Sequence, residues 1–230
     1  MLRASGRSTL SGMDELPDLE TLFSPAFWDE RYGAVERKFS GRPNVRLVEV
    51  VSDLPPGRVL DLGAGEGGDA AWLVEQGWEV IAVDVSQVAL DRAAASIGSD
   101  RVTYRQADLR SWTPEPDLEV DLVSMHYLHL PVPHHRRLIG LLADVVRPGG
   151  SLLHVSHHRD DIEMARRWNM PELMPPAAEI AAGLDPERWE VVRADDLTRL
   201  EAHGHHGDDD HGDHPTEVEV KDTLVHALRR

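Results

Sequence analysis

The chain has 230 residues, no cysteine, and a formal net charge of −17 from 24 basic and 41 acidic residues. This length suits one α/β domain with additions, and the absence of thiols excludes a disulfide framework, a thiolate nucleophile and a thiolate zinc site. The acidity disfavours nucleic acid and membrane surfaces as partners, because binding either depends on neutralising phosphates.

Residues 1–20 are polar and mixed, which predicts a flexible tail ahead of a single domain over 21–230. Four aromatic residues then fall close together: Phe27, Trp28, Tyr32 and Phe39. They indicate an N-terminal helical segment over about 24–54 that packs on the sheet edge, forms a lid over a ligand, or does both. Asn44 is a suitable N-cap for the last helix of this segment.

Strands and helices alternate through the middle of the chain. Strands are predicted at about 58–62, 79–83, 102–106, 120–125 and 151–156. Helices are predicted at about 68–75, after Ser86 as N-cap, and at 133–146, with Arg147–Gly150 as a tight turn into the fifth strand. This alternation favours a parallel sheet with right-handed crossovers. A helix near 177–182 and strands near 189–192 and 218–227 complete it, with a His/Asp-rich insert (203–214) between the last two strands.

The most informative stretch is Leu60-Asp61-Leu62-Gly63-Ala64-Gly65-Glu66-Gly67-Gly68, followed by a second apolar run that ends at Asp84. Strand, glycine turn, helix, strand and acidic residue together form a nucleotide-binding unit. Glycines let the main chain pass close to a ligand. Asp84 is placed to accept hydrogen bonds from a ribose diol.

Charge bears on which nucleotide binds there. Gly63, Gly65 and Gly68 satisfy the dinucleotide pattern G-x-G-x-x-G literally. However, Asp61 precedes the turn and Glu66 lies inside it, and two carboxylates would repel a pyrophosphate. They favour a cationic ligand without phosphate, such as S-adenosylmethionine. A nicotinamide or flavin dinucleotide is the alternative.

Four segments resemble, in order, those of class I S-adenosylmethionine-dependent methyltransferases: 60–67, 83–86, 106–109 and 147–153. The resemblance covers about 45–156. It implies an α/β, Rossmann-like, seven-stranded and mostly parallel sheet of order 3-2-1-4-5-7-6, with strand 7 antiparallel and helices on both faces. The segments 27–32 and 126–130 look like those of the small-molecule branch that includes tellurite-resistance and thiopurine-type methyltransferases.

The resemblance also implies residue roles. The glycine turn would approach the methionine part of S-adenosylmethionine, whose ammonium an aspartate would hold. At the end of the second strand, Asp84 would bind the ribose hydroxyls and Val85 would pack on the adenine. At the end of the third strand, Asp108 and Leu109 would hydrogen-bond to the adenine. The loop that begins at Met125, after the fourth strand, would lie beside the reactive methyl. The predicted cofactor-binding residues are Asp61, Gly63, Gly65, Asp84, Val85, Asp108, Leu109 and Met125.

Methyl transfer needs alignment of donor and acceptor, so a base is optional. Where a base is used, histidine is suited to removing a proton from the acceptor near neutral pH. Histidines follow strands four and five, at the edge where open α/β sheets bind ligands. The predicted catalytic residues are His126, His129 and His157, and the predicted acceptor-binding residues are Trp28, Tyr32, Tyr127 and His158.

The insert offers imidazoles and carboxylates that suit zinc, nickel or cobalt. The candidate metal ligands are His205, His206, His211 and His214. The alternative is a solvated loop with no specific ligand. Residues 124–127 lack the Asn/Asp-Pro-Pro-aromatic signature of enzymes that methylate adenine or glutamine amino nitrogens.

The sequence therefore predicts an S-adenosylmethionine-dependent methyltransferase that acts on a heteroatom of a small molecule, with neither nucleic acid nor membrane as partner. A non-catalytic cofactor-binding or metal-sensing protein and an NAD-dependent oxidoreductase are the alternatives. Neither a transmembrane run nor a secretory signal is visible, so we expect a cytoplasmic protein.

Overall fold

A computed structural model describes residues 18–35, 40–161, 170–203 and 216–230. Most of the predicted tail, Phe39, and the four candidate metal-binding histidines of the insert lie outside these residues. None of the helices in the described ranges combines the length and the apolar character needed to cross a bilayer.

One seven-stranded sheet of order β3-β2-β1-β4-β5-β7-β6 organises this part of the chain. The strands are β1 (Arg58–Leu62), β2 (Glu79–Asp84), β3 (Val102–Gln106), β4 (Val120–His126), β5 (Val146–His157), β6 (Trp189–His203) and β7 (Thr216–Arg229). The first five strands pair in parallel. Strand β7 is antiparallel to both its neighbours. The predicted strand order and the antiparallel seventh strand are confirmed.

The helices are α1 (Leu19–Leu22), α2 (Pro25–Gly33), α3 (Val45–Val51), α4 (Gly68–Glu75), α5 (Gln87–Ile97), α6 (Val132–Val145) and α7 (Ala177–Ala182). Polar side chains begin four of them, because the first N–H groups of a helix have no partner within it. Asp18 accepts a hydrogen bond from the N–H of Thr21. Ser24, Asn44 and Ser86 accept hydrogen bonds from the N–H groups of Phe27, Arg46 and Ala89. The predicted caps at Asn44 and Ser86 are confirmed.

The core has two parts, one on each face of the sheet. Leu60 and Leu62 of β1 pack in the part that contains Leu142 of α6. Val59 packs in the other part, with Leu73 of α4. Since side chains alternate along a strand, β1 presents its second and fourth residues to one face and its third and fifth to the other.

Two segments differ from the sequence expectation. The predicted turn at 147–150 lies within β5 as a register shift, with Gly149 at φ +81°. Strand β6 runs to position 203 instead of about 192. Its outer half is rich in charged residues, a composition that predicts a loop. Because β6 is an edge strand paired on one side only, it can expose these residues to solvent.

Candidate functional site

The glycine turn after β1 is held by the carboxylate of Asp84 at the end of β2. The Gly65 N–H donates to Oδ2 of Asp84 at 2.8 Å, and the Ser86 N–H donates to Oδ1 at 2.8 Å. Gly63 and Gly65 have φ values of +80° and +53°, which other residues rarely adopt. These bonds fix the shape of the turn, and at the two glycines no side chain of the turn itself covers the main chain.

Side chains from two other segments close over this turn. A Cβ at Gly65 would lie 3.0 Å from the Tyr32 hydroxyl, and a Cβ at Gly63 would lie 3.5 Å from Leu128. Tyr32 comes from α2 and Leu128 from the loop after β4. The N-terminal helices and that loop therefore flank the turn on two sides.

Asp61 faces α4 from β1 and is buried, with 2% of its surface exposed. Its Oδ2 is buried and has no hydrogen-bond partner among the described residues. Burial, followed by the nearby Asp69 carboxylate, raises the Asp61 pKa to about 7, although His126 and a hydrogen bond from Ser124 oppose the rise. A buried acceptor without a partner costs stability, and a bound cation would relieve that cost.

His126, at the end of β4, is locked in place by Asp69 of α4. The Nδ1 atom of His126 lies 2.6 Å from Asp69 Oδ2 and 3.3 Å from the Ser124 hydroxyl. The other Asp69 oxygen accepts from the Asn44 N–H at 2.6 Å. The Nε2 atom of His126 is buried and has no partner in the described part of the chain. A carboxylate that accepts from Nδ1–H orients the ring and leaves Nε2 available to a ligand.

Charges beside the turn are partly balanced within the protein. Burial raises the Asp84 pKa, and the N–H groups of Ser86 and Gly65 oppose this. Glu66 lies inside the turn but pairs with Arg92 at 3.0 Å. Because Arg92 neutralises the Glu66 carboxylate, Glu66 should repel a phosphate less than the sequence predicted. The carboxylates that favour a cationic ligand at this turn are those of Asp61 and Asp84.

The N-terminal helix α2 is attached to the start of α5. Asp29 accepts from the Ser86 hydroxyl at 2.6 Å and from the Val88 N–H at 3.2 Å. Burial, followed by the Asp84 and Glu66 charges, raises the Tyr32 pKa far above its usual value, so its phenol stays protonated. The Trp28 ring lies 6.0 Å from the Tyr32 ring. This anchoring presents Tyr32 to the turn.

The residues predicted to bind adenine lie at the ends of β2 and β3. Leu109 is buried and Val85 is half-buried. Burial works to raise the Asp108 pKa, but hydrogen bonds from Arg110 outweigh it and lower that pKa. The Arg110 Nη2 donates to Asp108 at 2.7 Å. Asp108 is therefore an ionised acceptor held in a fixed orientation.

The loop after β4 begins with a strained residue. Tyr127 has φ +51°, an uncommon conformation for a bulky side chain that is found preferentially at functional sites. Its hydroxyl donates to the buried Asp222 at 3.1 Å, and its ring lies 4.4 Å from that of His157. His157 in turn stacks on His129 at 5.4 Å. Burial lowers the His129 pKa to about 4, partly offset by the Leu173 backbone, so His129 is neutral at pH 7.

Two of the predicted site residues lie among contacts that stabilise the fold. Met125 is completely buried in the core on the α6 face, because the alternation along β4 turns it away from Asp61 and His126. His158 accepts from the Asp160 N–H at 3.1 Å and its Nε2 lies 3.6 Å from Asp196. These contacts stabilise the chain reversal after β5.

Beside the turn lies a cavity of about 370 Å³ between α6, β5, α7 and the loop after β4. Leu128 lines this cavity and also packs on Gly63. Sequence reasoning missed the cavity and its polar residues, and also missed Asp29 and Asp69. One available signal was a lone histidine, His154, within the apolar run of β5. No group of three or more His, Cys, Asp or Glu residues in the described ranges is placed to hold a metal ion.

Known proteins similar to this chain point to one family. The family described as a methyltransferase domain matches residues 59–150. A trans-aconitate 2-methyltransferase from Mycolicibacterium gilvum is 31% identical over 183 residues, which cover 69% of each chain. One from an Azoarcus species is 35% identical over 116 residues, 49% of this chain and 41% of the relative. A tRNA 5-carboxymethoxyuridine methyltransferase from Escherichia coli K12 is 34% identical over 46% of this chain and 43% of its own length.

Solved structures agree on the fold. A chain solved in work on the conversion of a disulfide bond into a thioacetal group during echinomycin biosynthesis has a TM-score of 0.70 and 22% identity, covering 89% of this chain and 91% of that one. The N-methyltransferase NodS from Bradyrhizobium japonicum in complex with S-adenosylhomocysteine has a TM-score of 0.58 and 16% identity, covering 80% and 83%. Although several matched segments span less than half of the curated relatives, the Mycolicibacterium match covers more than two thirds of its length. The chain belongs to the class I S-adenosylmethionine-dependent methyltransferases.

Proposed function

We propose that this protein transfers the methyl group of S-adenosylmethionine to a heteroatom of a small molecule bound beside the Gly63–Gly65 turn. The single observation that supports this most is the buried Oδ2 of Asp61, which has no hydrogen-bond partner among the described residues and lies next to the glycine turn. A buried carboxylate in that position suits an ammonium and disfavours a pyrophosphate.

The cofactor would be held by groups from three strand ends. Asp61 holds the ammonium, and Gly63 and Gly65 leave room for the methionine chain. Asp84 keeps lone pairs free for ribose hydroxyls even though it accepts from two main-chain N–H groups. The adenine lies against the segment that contains Val85, Asp108 and Leu109.

When bound, S-adenosylmethionine supplies an electrophilic methyl group, so the protein's task is alignment and, for some acceptors, removal of a proton. The group suited to that removal is His126, whose Nε2 has no partner in the described part of the chain and whose Nδ1 is held by Asp69. His129 and its neighbour His157 are further candidates, although the lowered pKa of His129 makes it a weaker base. Trp28, Tyr32 and Tyr127 would shape the entrance on the acceptor side.

The similarity to a tRNA methyltransferase raises the alternative of a nucleic-acid acceptor. The net charge of −17 argues against it, because an acidic surface weakens phosphate binding. The Asp61 carboxylate disfavours an NAD-dependent oxidoreductase, because it would repel the NAD pyrophosphate. Glu66 adds little to this repulsion, since its charge is paired with Arg92.

Methyl transfer is tested by incubating the protein with S-adenosylmethionine carrying a labelled methyl group and a panel of carboxylic acids, phenols, amines and thiols. We expect labelled product and S-adenosylhomocysteine in equal amounts with at least one class. Asp84→Asn should abolish turnover, whereas Asp91→Asn, at an exposed position of α5, should leave it unchanged. Cofactor binding without product from any class would instead support the non-catalytic alternative.

A further inference from the structure

The cavity beside the glycine turn has an apolar body. Its walls include Leu130 from the loop after β4, Ile139 from α6, Leu173 from a short 3-10 helix (Pro171–Leu173), and Ile180 from α7. A volume of about 370 Å³ lies at the small end of the usual range for ligand pockets. The cavity can therefore hold a compact molecule with an apolar portion.

Its polar groups are mainly basic and lie at one side. His154 of β5 is 2% exposed, and its Nε2 lies 3.1 Å from Nε2 of His135 in the first turn of α6. The remaining ring nitrogen of His154, Nδ1, is buried and has no hydrogen-bond partner among the described residues. Arg136 stands at the rim, next to His135.

The proton count of the histidine pair leaves a donor for a ligand. Two neutral imidazoles carry two N–H groups in total, and the short contact uses one of them. One outer Nδ1–H therefore remains, whichever ring donates in the contact. The N-terminus of α6 adds the positive end of its helix dipole, and its first turn contains no acidic residue to compensate that field. The N–H groups of His134 and His135 already donate to the Pro131 carbonyl, and position 133 is proline, so this helix end acts mainly through its field.

Two carboxylates also line the cavity. Glu179 pairs with Arg159 at 2.7 Å, so its charge is balanced. Glu172 and Arg136 are both exposed to solvent, and neither makes an ion pair with any residue in the described ranges. The preference for an anion therefore depends on the buried histidine pair as well as on Arg136.

From these features, we propose that the cavity binds the methyl acceptor as an acidic small molecule. A single carboxylate is held by His135, His154 and Arg136, and an apolar body packs on Leu130, Ile139 and Ile180. This inference rests on the proposed function and specifies its substrate class. Leu128, which contacts both the cavity and Gly63, forms the boundary across which the acceptor meets the cofactor.

Isothermal titration with octanoate and its neutral counterpart octanamide tests this proposal, with the protein first saturated by S-adenosylhomocysteine. We expect octanoate to bind at least tenfold more tightly than octanamide. Arg136→Gln and His154→Leu should each weaken octanoate binding about tenfold or more. Arg137→Gln is the matched control on the same helix, because Arg137 points at the carbonyl groups of Ser111 and Trp112 instead, and it should bind octanoate like the wild type.

Binding of S-adenosylhomocysteine shows in each variant that the fold and the cofactor site are intact. If His154→Leu does not fold, Arg136→Gln decides the question, since its side chain is exposed. Equal affinity for octanoate and octanamide, no octanoate binding at all, or unchanged binding in Arg136→Gln would overturn the proposal while leaving the proposed function in place. Failure of S-adenosylhomocysteine to bind the wild type would overturn the proposed function itself.

Discussion

Protonation of Asp61 should control the affinity for the cofactor. In the ligand-free protein, burial and Asp69 raise its pKa to about 7, so at pH 6 most molecules carry a neutral Asp61. An ammonium binds the ionised carboxylate, and binding must therefore displace the proton. The groups that surround this carboxylate are Asp69, His126 and Asp84.

The size of the effect follows from that pKa. With a pKa of about 7, the ionised fraction falls from about nine-tenths at pH 8 to about one-tenth at pH 6. The Kd for S-adenosylhomocysteine, which carries the same ammonium, should rise about tenfold over this range, equivalent to about 1.4 kcal/mol. At pH 7 each binding event should release about half a proton.

Isothermal titration in two buffers of different ionisation enthalpy measures both quantities. Asp61→Asn should bind weakly and lose the pH dependence between pH 6 and 8, whereas Asp91→Asn should behave like the wild type. A Kd that does not change between pH 6 and 8, or proton uptake on binding, would contradict a raised pKa at Asp61.

The same shift has a consequence for stability. A carboxylate with a raised folded-state pKa destabilises the fold increasingly as pH rises from its unfolded value near 4 to about 7. Asp61→Asn should therefore raise the Tm of the ligand-free protein at pH 8, and by less at pH 5; an equal change at both pH values in thermal melts would contradict this. Gly65→Ala and Gly98→Ala both force a Cβ into a left-handed conformation and should each cost about 1–2 kcal/mol in denaturant titrations. Only Gly65→Ala should weaken cofactor binding, since nothing lies near a Cβ at Gly98. Asp29→Ala should remove two hydrogen bonds of α2, cost about 1–3 kcal/mol and speed cofactor release in stopped-flow measurements; an unchanged release rate would show that α2 does not cover the turn. Met125→Ala should cost about 2–5 kcal/mol with little change in Kd, and a large loss of affinity would instead place Met125 in the site.

The sheet could be predicted from the sequence because its signals are local. Short apolar strands, the glycine turn, and the caps at Asn44 and Ser86 each depend on neighbouring residues. Strand β7 was predicted over most of its length, but the outer half of β6 gave no such signal. Its pairing is long-range, and the charged residues at 193–199 follow no apolar alternation that would separate an edge strand from a loop.

The site was predictable in part for the same reason. Asp61, Gly63, Gly65 and Asp84 lie within one βαβ unit, so their spacing places them together. The partners of these residues come from distant segments. Asp69 meets His126 across 57 positions, and Asp29 meets Ser86 across the same separation. No local pattern encodes such contacts.

The acceptor side was the hardest to predict. His135 and His154 meet only because α6 packs beside β5, and each reads alone as an ordinary histidine. The signals were indirect: a polar residue inside an apolar strand, and basic residues at a helix start, where the helix dipole disfavours them.

The turn from Gly63 to Gly65 should accept a cationic nucleoside and not a dinucleotide. Crystals grown with equal concentrations of S-adenosylhomocysteine and NAD distinguish the two ligands. We predict S-adenosylhomocysteine at the turn, with its amino group hydrogen-bonded to Asp61 and its ribose hydroxyls to Asp84. Density for the NAD pyrophosphate on this turn, with no ligand group bonded to Asp61, would instead show a dinucleotide site.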